Sequence, residues 1–324
     1  EMKRILFIFL LLITLGSCCR KDTSLGTSLD STFFDTIAIN FDTVLFSEDY
    51  NTIYCNADIG DIHMASVLVD NAFYYSAITP DLLPLLESYF TIIDTIPCPQ
   101  GCNPKHWVGF FCKSDKLYLN CGNVSHKLDT VYINSWPQIA IGNNKIKAVI
   151  GRDFFEDHIV EINFRDRLMI VGNYLPEKAN QYLSFPIINN NASRERPRQR
   201  CIKVDGFKSK GGHPITSIAM LDLGAHTTLF DTIFLKHVDQ HFSQIDTSSL
   251  AWLILKQIGS AVDSVDFNEG KMDDNHNIVA KYPGGYANLS ALHSDILLGT
   301  DFFRHFNVIF DYKNNMLYLK RNEQ

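Results

Sequence analysis

The chain has 324 residues, 46% of them apolar and 20% charged, a balance that excludes a disordered or low-complexity polypeptide. Its formal charge of −7 argues against nucleic acid or an anionic membrane surface as a partner. A single core stops growing at roughly 250–300 residues, so two units of about 150 residues are expected, and 12% aromatics, with 23 Phe and 13 Tyr, favour a β-rich fold.

Lys3 and Arg4 precede an apolar run from Ile5 to Leu15, closed by Gly16, Ser17 and Cys18. A basic start, a run shorter than the roughly 20 residues that span a bilayer and a small-residue exit predict a secretory signal over 1–17. The segment Leu15-Gly16-Ser17-Cys18 resembles a bacterial lipobox. That resemblance implies lipidation of Cys18, membrane attachment through the lipid, and a place in the bacterial cell envelope facing the periplasm or the surface. A cleaved signal with a chance cysteine is the alternative. Residues 19 to about 35 read as a flexible tether, and 18–50 as tether plus the start of the first unit.

Seven further cysteines follow: Cys19, Cys55, Cys98, Cys102, Cys112, Cys121 and Cys201. Export permits disulfides. Four of the seven crowd into 98–121, and disulfides within that group are expected; their gaps fit none of the short zinc knuckles. Residues 107–122 read as a hairpin turning at Ser114-Asp115-Lys116. Further on, Thr79-Pro80-Asp81 reads as a helix start with proline at its first position. Thr130–Ile133 and Gln138–Ile141 read as strands, the second ending at a Gly142-Asn143-Asn144 turn. Asn189–Arg200 reads as an exposed, solvated basic connection. Asp231 reads as a helix start, and Ser249–Ile258 as a further helix.

The clearest pattern is a duplication. Val149-Ile150-Gly151-Arg152-Asp153-Phe154-Phe155 recurs as Leu297-Leu298-Gly299-Thr300-Asp301-Phe302-Phe303, 148 positions later (151 to 299). Ile162-Asn163-Phe164 corresponds to Phe310-Asp311-Tyr312. Ser66-Val67-Leu68-Val69-Asp70-Asn71-Ala72 corresponds to Ile218-Ala219-Met220-Leu221-Asp222-Leu223-Gly224, 152 positions later (70 to 222). Each copy reads as a buried strand delivering an aspartate into a turn. A hydroxyl, Ser76 or Thr228, follows each aspartate by six residues. The units are expected at 51–183 and 184–324, paired about one site.

If the halves pack symmetrically, Asp70 and Asp222 meet at the axis. Two close carboxylates share one proton. The ionised member takes a proton from water while the protonated member polarises a carbonyl, which is general acid–base chemistry for amide hydrolysis. Asp153 and Asp301 read as helix caps, and His226 as a solvent-facing turn residue. His237 and His241 have helical spacing, but no third ligand is evident. No phosphate loop or nucleophile elbow is present, so neither cofactor nor metal is expected.

At these motifs the chain resembles the pepsin-like and retropepsin-like aspartic protease family, over roughly residues 50–322. The resemblance rests on Asp70-Asn71-Ala72, on Asp222-Leu223-Gly224-Ala225-His226-Thr227-Thr228, and on the hydrophobic-hydrophobic-Gly motifs at Gly151 and Gly299. It implies a mainly β fold: two β-barrel-like lobes of the acid protease type, few short helices and a central cleft. It further implies a monomeric endopeptidase acting on peptide or protein, Asp70 and Asp222 as catalytic pair, and Asn71, Ala72, Ser76, Leu223, Gly224, Ala225, Thr228, Gly151 and Gly299 as supports of the cleft. Tyr118 would lie on a mobile hairpin over it. The chain departs from the family's Asp-Thr/Ser-Gly at Asn71, Ala72 and Leu223. The alternative is therefore a catalytically impaired protein of this fold that binds peptide or protein in the cleft.

Overall fold

The computed structural model describes residues 42–49, 52–95, 109–134, 140–141, 144–190, 199–226, 228–238, 271–272, 278–279, 285–287, 289 and 292–322. The secretory run, Cys18, the tether, Cys98, Cys102, the 249–258 helix and His241 lie outside them. Residues Ile39–Gln324 form one compact unit.

The protein is mainly β. Two mixed sheets, one for each copy of the duplication, are joined by an antiparallel platform. In the first copy, Thr52–Ile59 pairs antiparallel with Ile62–Val69, and Val67–Val69 runs parallel to Ala148–Ile150. Ala148–Ile150 also pairs antiparallel with Ala77–Ile78. In the second copy, Gln199–Lys208 pairs antiparallel with Pro214–Leu221. Ala219–Leu221 then runs parallel to Ile296–Leu298, which pairs antiparallel with Leu229–Asp231. The order of partners is the same in both halves, as the duplication requires.

The platform runs, strand by strand, through Asp42–Asp49, Leu168–Gly172, Ile159–Asn163, Phe306–Asp311, Met316–Arg321 and Leu183–Asn190. Its centre joins the copies: Val160 lies opposite Phe310 and Ile162 opposite Val308. Neither mixed sheet closes into a barrel, which corrects the expected barrel-like lobes. The outer strands Asp42–Asp49 and Leu183–Asn190 each divide their hydrogen bonds between the platform and their own sheet. Their edges are thereby satisfied without closure.

The Phe-Phe pairs explain why the duplicated motif is apolar where it is. They sit on the short helices Arg152–Asp157 and Thr300–Phe303, each opened by a glycine, and all four rings are buried. Phe155 and Phe303 meet the platform ring Phe310 at centroid distances of 5.6 and 5.5 Å. One continuous apolar cluster therefore spans both copies. Each buried ring contributes about 1.5–3 kcal/mol by area alone.

Other local expectations meet the structure as follows. A helical segment begins at Pro80 after Thr79. Asp231 caps the helix Thr232–His237, its carboxylate accepting from the Ile233 and Phe234 N–H groups. Thr130–Asn134 is a strand. The hairpin expected over 107–122 is not formed. Gly109–Lys113 pairs with Thr91–Thr95 and Thr130–Asn134, whereas Tyr118–Cys121 pairs with Val124–Lys127 and Thr52–Ile59. The Ser114 hydroxyl accepts from the Leu117 N–H (2.9 Å), and the turn it holds passes the chain onward rather than back. Tyr118 is exposed, opposite Lys127. Cys112 and Cys121 are buried thiols and are not joined to each other.

Candidate functional site

Both aspartates stand at the end of the strand the sequence assigns them. The Asp70 N–H donates to the Ile150 carbonyl and the Asp222 N–H to the Leu298 carbonyl, each at 3.0 Å. Each carboxylate then folds back on its own turn. Asp70 Oδ1 accepts from the Ala72 and Phe73 N–H groups (3.0 and 3.1 Å), and Asp222 Oδ1 from the Ala225 N–H (2.9 Å). Such local bonds are what aspartate offers a turn.

The hydroxyl and the glycine form the next layer. The Ser76 N–H and hydroxyl both donate to Asp153 Oδ1 (2.9 and 2.8 Å), while the Ser76 oxygen accepts from the Gly151 N–H (3.0 Å). The Thr228 N–H and hydroxyl both donate to Asp301 Oδ1 (2.7 Å each), and the Thr228 oxygen accepts from the Gly299 N–H (3.1 Å). Asp153 and Asp301 therefore clamp the turns. This corrects the helix-cap reading for Asp153: the helix Arg152–Asp157 has no side-chain cap. A Cβ at Gly151 would strike the Tyr75 carbonyl and the Ser76 nitrogen. Glycine is thus required by space, not by backbone angle.

The copies meet through unequal residues. Asn71, fully buried, accepts the Leu223 N–H on Oδ1 (2.6 Å) and donates from Nδ2 to the Tyr312 hydroxyl (2.7 Å). Leu223 contributes only its backbone; its carbonyl accepts the Thr300 hydroxyl (2.7 Å). Position 312 corresponds to Phe164 in the first copy, so an amide in one half and a phenol in the other make a single asymmetric lock. Burial raises the Tyr312 phenol, and Asn71, Arg152 and Arg200 oppose that shift. Arg152, in the place of Thr300, stacks over Tyr74 at 4.3 Å. Arg200 is not a solvated loop residue: it bonds Glu156, Asn189 and Asn315 and lies over the Tyr312 ring. His226, exposed as expected, bonds the Thr52 hydroxyl (3.0 Å) rather than facing solvent alone.

Asn71→Leu will test the lock. It leaves the Leu223 N–H and the Tyr312 hydroxyl buried without their partner, at about 1–3 kcal/mol for each orphaned group. We expect a loss of about 3 kcal/mol in denaturant unfolding, partly recovered by adding Tyr312→Phe. No recovery would mean that the two side chains do not act together.

The two carboxylates share surroundings. The Gly224 backbone N–H acts on both Asp70 and Asp222, pulling each toward its ionised form. Burial pushes Asp70 up to about 6 against the pull of the N–H groups of Ala72, Phe73 and Gly224. Burial, then the Asp70 charge, pushes Asp222 up to about 8. Near neutral pH the pair holds one proton between them. Beside Asp70 stand half-buried aromatics: Phe73 stacks on Tyr132 (5.6 Å), Tyr132 on Phe111 (5.5 Å), and Tyr75 meets Phe111 edge-on (5.9 Å). The duplication pointed to Asp70, Asp222, Ser76, Thr228, Gly151 and Gly299. It did not point to Tyr312, Thr300, Phe111 or Tyr132, whose chemistry is present in one copy only.

No family model matches the chain, and no curated protein does. Among solved structures it is similar to basic 7S globulin from soybean, at 11% identity and a TM-score of 0.49, covering 88% of this chain and 95% of that one. It is also similar to conglutin gamma, a basic 7S globulin from lupine seeds, at 12% identity and a TM-score of 0.46, covering 88% and 96%. These values carry no argument about activity. The expected membership of the pepsin-like and retropepsin-like proteases is corrected: no family model and no curated protein supports it, and the similar structures are seed globulins. The physical reason lies in the motifs. Gly151, Gly299, Ser76, Thr228, Asp153 and Asp301 hold turns in place, so their pattern reports architecture rather than catalysis.

Proposed function

We propose that the protein binds an extended peptide or protein segment at the Asp70–Asp222 pair. The observation that supports this is a pair of buried carboxylates, both raised by burial, set beside a half-buried aromatic wall. A protonated carboxyl donates to a peptide carbonyl, an ionised one accepts a peptide N–H, and Phe73, Phe111 and Tyr132 offer apolar area to side chains. The departures at Asn71, Ala72 and Leu223 fit a site kept for binding. A second reading, hydrolysis of the bound segment, is favoured by the burial that raises both carboxylates above the ordinary range. A raised pair of this kind can supply an acid and a base at once.

The test is a mixed library of unstructured peptides, followed by fluorescence anisotropy for binding and mass spectrometry for cleavage between pH 4 and 8. We expect saturable binding that Asp222→Asn weakens about tenfold, with apolar or aromatic residues enriched among the bound peptides. Cleavage abolished by both Asp70→Asn and Asp222→Asn would establish the second reading. Neither binding nor cleavage at any pH would overturn both.

A further inference from the structure

Four cysteines among the described residues, Cys55, Cys112, Cys121 and Cys201, are buried thiols. Two of them meet: Cys55 Sγ and Cys121 Sγ are 3.6 Å apart. The strands that carry them are hydrogen-bonded, with Asp58 opposite Asn120 and Ile59 opposite Leu119. That register brings Cys121 level with Ala57, and alternation along Thr52–Ile59 puts Ala57 and Cys55 on the same buried face. A disulfide needs sulfurs at about 2.05 Å, so closing the pair brings the two sulfurs roughly 1.5 Å nearer. By contrast, only burial acts on the thiols of Cys112 and Cys201.

We propose that Cys55 and Cys121 are a redox site that closes to an intramolecular disulfide by exchange with a low-molecular-weight disulfide. The thiolate of one cysteine attacks a sulfur of that reagent, forming a mixed disulfide and releasing one small thiol. The second cysteine, its proton lost to solvent, attacks the protein-side sulfur of the mixed disulfide and expels the other small thiolate, which takes up a proton. The protein loses two electrons and two protons; the reagent gains both. The bond with Cys121 and burial hold the Cys55 thiol protonated in the folded chain. Exchange therefore proceeds during folding and is slow afterwards.

The consequence is local to the site. The bridge closes the segment from 55 to 121, which contains the strand Ile62–Val69, Asp70 and the clamp residue Ser76. It ties down Thr52–Ile59, the strand whose Thr52 hydroxyl bonds His226 beside the second motif. Closing a loop of this length removes much of the freedom of the unfolded chain.

The experiment refolds the full chain with a mixture of the reduced and oxidised forms of a small tripeptide thiol, traps free thiols with an alkylating agent and maps peptides by mass spectrometry. We expect a crosslinked Cys55–Cys121 peptide two hydrogens lighter than its reduced parts. Unfolding should occur about 5–10 °C higher than in the reductant-treated chain. Cys55→Ala and Cys121→Ser should each abolish the crosslink and the shift. Full alkylation of both cysteines after oxidation, or Cys121 crosslinked to Cys98, Cys102 or Cys112 instead, would overturn the proposal. Because the crosslink is read on the unaltered chain, a variant that fails to fold does not remove the test.

Discussion

Replacing Gly224 with alanine will collapse the candidate site. A Cβ at this position would fall on the Asp70 carboxylate. The carboxylate cannot step aside, because Asp70 is buried and its Oδ1 is held by the Ala72 and Phe73 N–H groups at 3.0 and 3.1 Å. The turn must move instead, and with it the Gly224 N–H that pulls both carboxylates toward their ionised form. Forcing atoms into a filled interior costs typically 1–3 kcal/mol and more where the backbone resists. We expect a loss of about 3 kcal/mol in denaturant unfolding and a fall of about 8 °C in Tm. Peptide binding should be lost even where the variant remains folded. The next residue, Ala225, already carries a methyl group, so Ala225→Gly should cost no more than about 1 kcal/mol, by chain entropy. A Gly224→Ala variant with the parent's stability and binding would mean that Asp70 does not lie against this backbone.

The second large effect concerns pH. Both carboxylates are raised in the folded chain, Asp70 to about 6 and Asp222 to about 8, against an ordinary value of 3.8. A raised carboxylate binds protons in the folded state that the unfolded chain has released. Stability contributed by the protonated pair is therefore complete below about pH 4 and is lost as pH rises through 6 and then 8. Stability is therefore expected to fall across that window, by on the order of several kcal/mol. Asp222→Asn removes the second charge while its amide oxygen can still accept the Ala225 N–H, bonded by Asp222 Oδ1 at 2.9 Å in the parent. The variant should match the parent near pH 4 and exceed its stability by about 3 kcal/mol at pH 8. Unfolding free energies measured from pH 4 to 9 check this. Parallel curves for parent and variant would refute the shared burial of the pair.

Much of the site was legible in the chain because duplication makes symmetric requirements visible twice. A glycine pressed against backbone, a hydroxyl donating to an aspartate and a strand ending in a carboxylate each impose a residue type at a fixed separation. They therefore reappear at offsets of 148 (151 to 299) and 152 (70 to 222). The cap reading fails for Asp153, since a short helix beginning with Asp suggests a cap. The Ser76 hydroxyl that claims its carboxylate comes from 77 residues away, as the Thr228 hydroxyl on Asp301 comes from 73. The 107–122 hairpin failed for a related reason. A turn at Ser114 shows where the chain bends but not which strand its neighbours join, and Gly109–Lys113 finds better partners on either side. The barrel-like lobes failed because closure depends on where the edge strands spend their hydrogen bonds.

The sequence alone determined a β-rich chain built from one repeated half, with two aspartates delivered at equivalent strand ends. Those properties follow from composition and from residue spacing, which are local and periodic. Only the tertiary structure decided which residues far apart in the chain meet. It set Gly224 against Asp70, gave Asn71 of one half to Leu223 and Tyr312 of the other, gathered Phe73, Phe111 and Tyr132 into one wall, and brought Cys55 to Cys121. None of these contacts recurs in the partner half, so repetition could not announce them. Each depends on which strands pair and how closely the copies approach, which no spacing along the chain encodes.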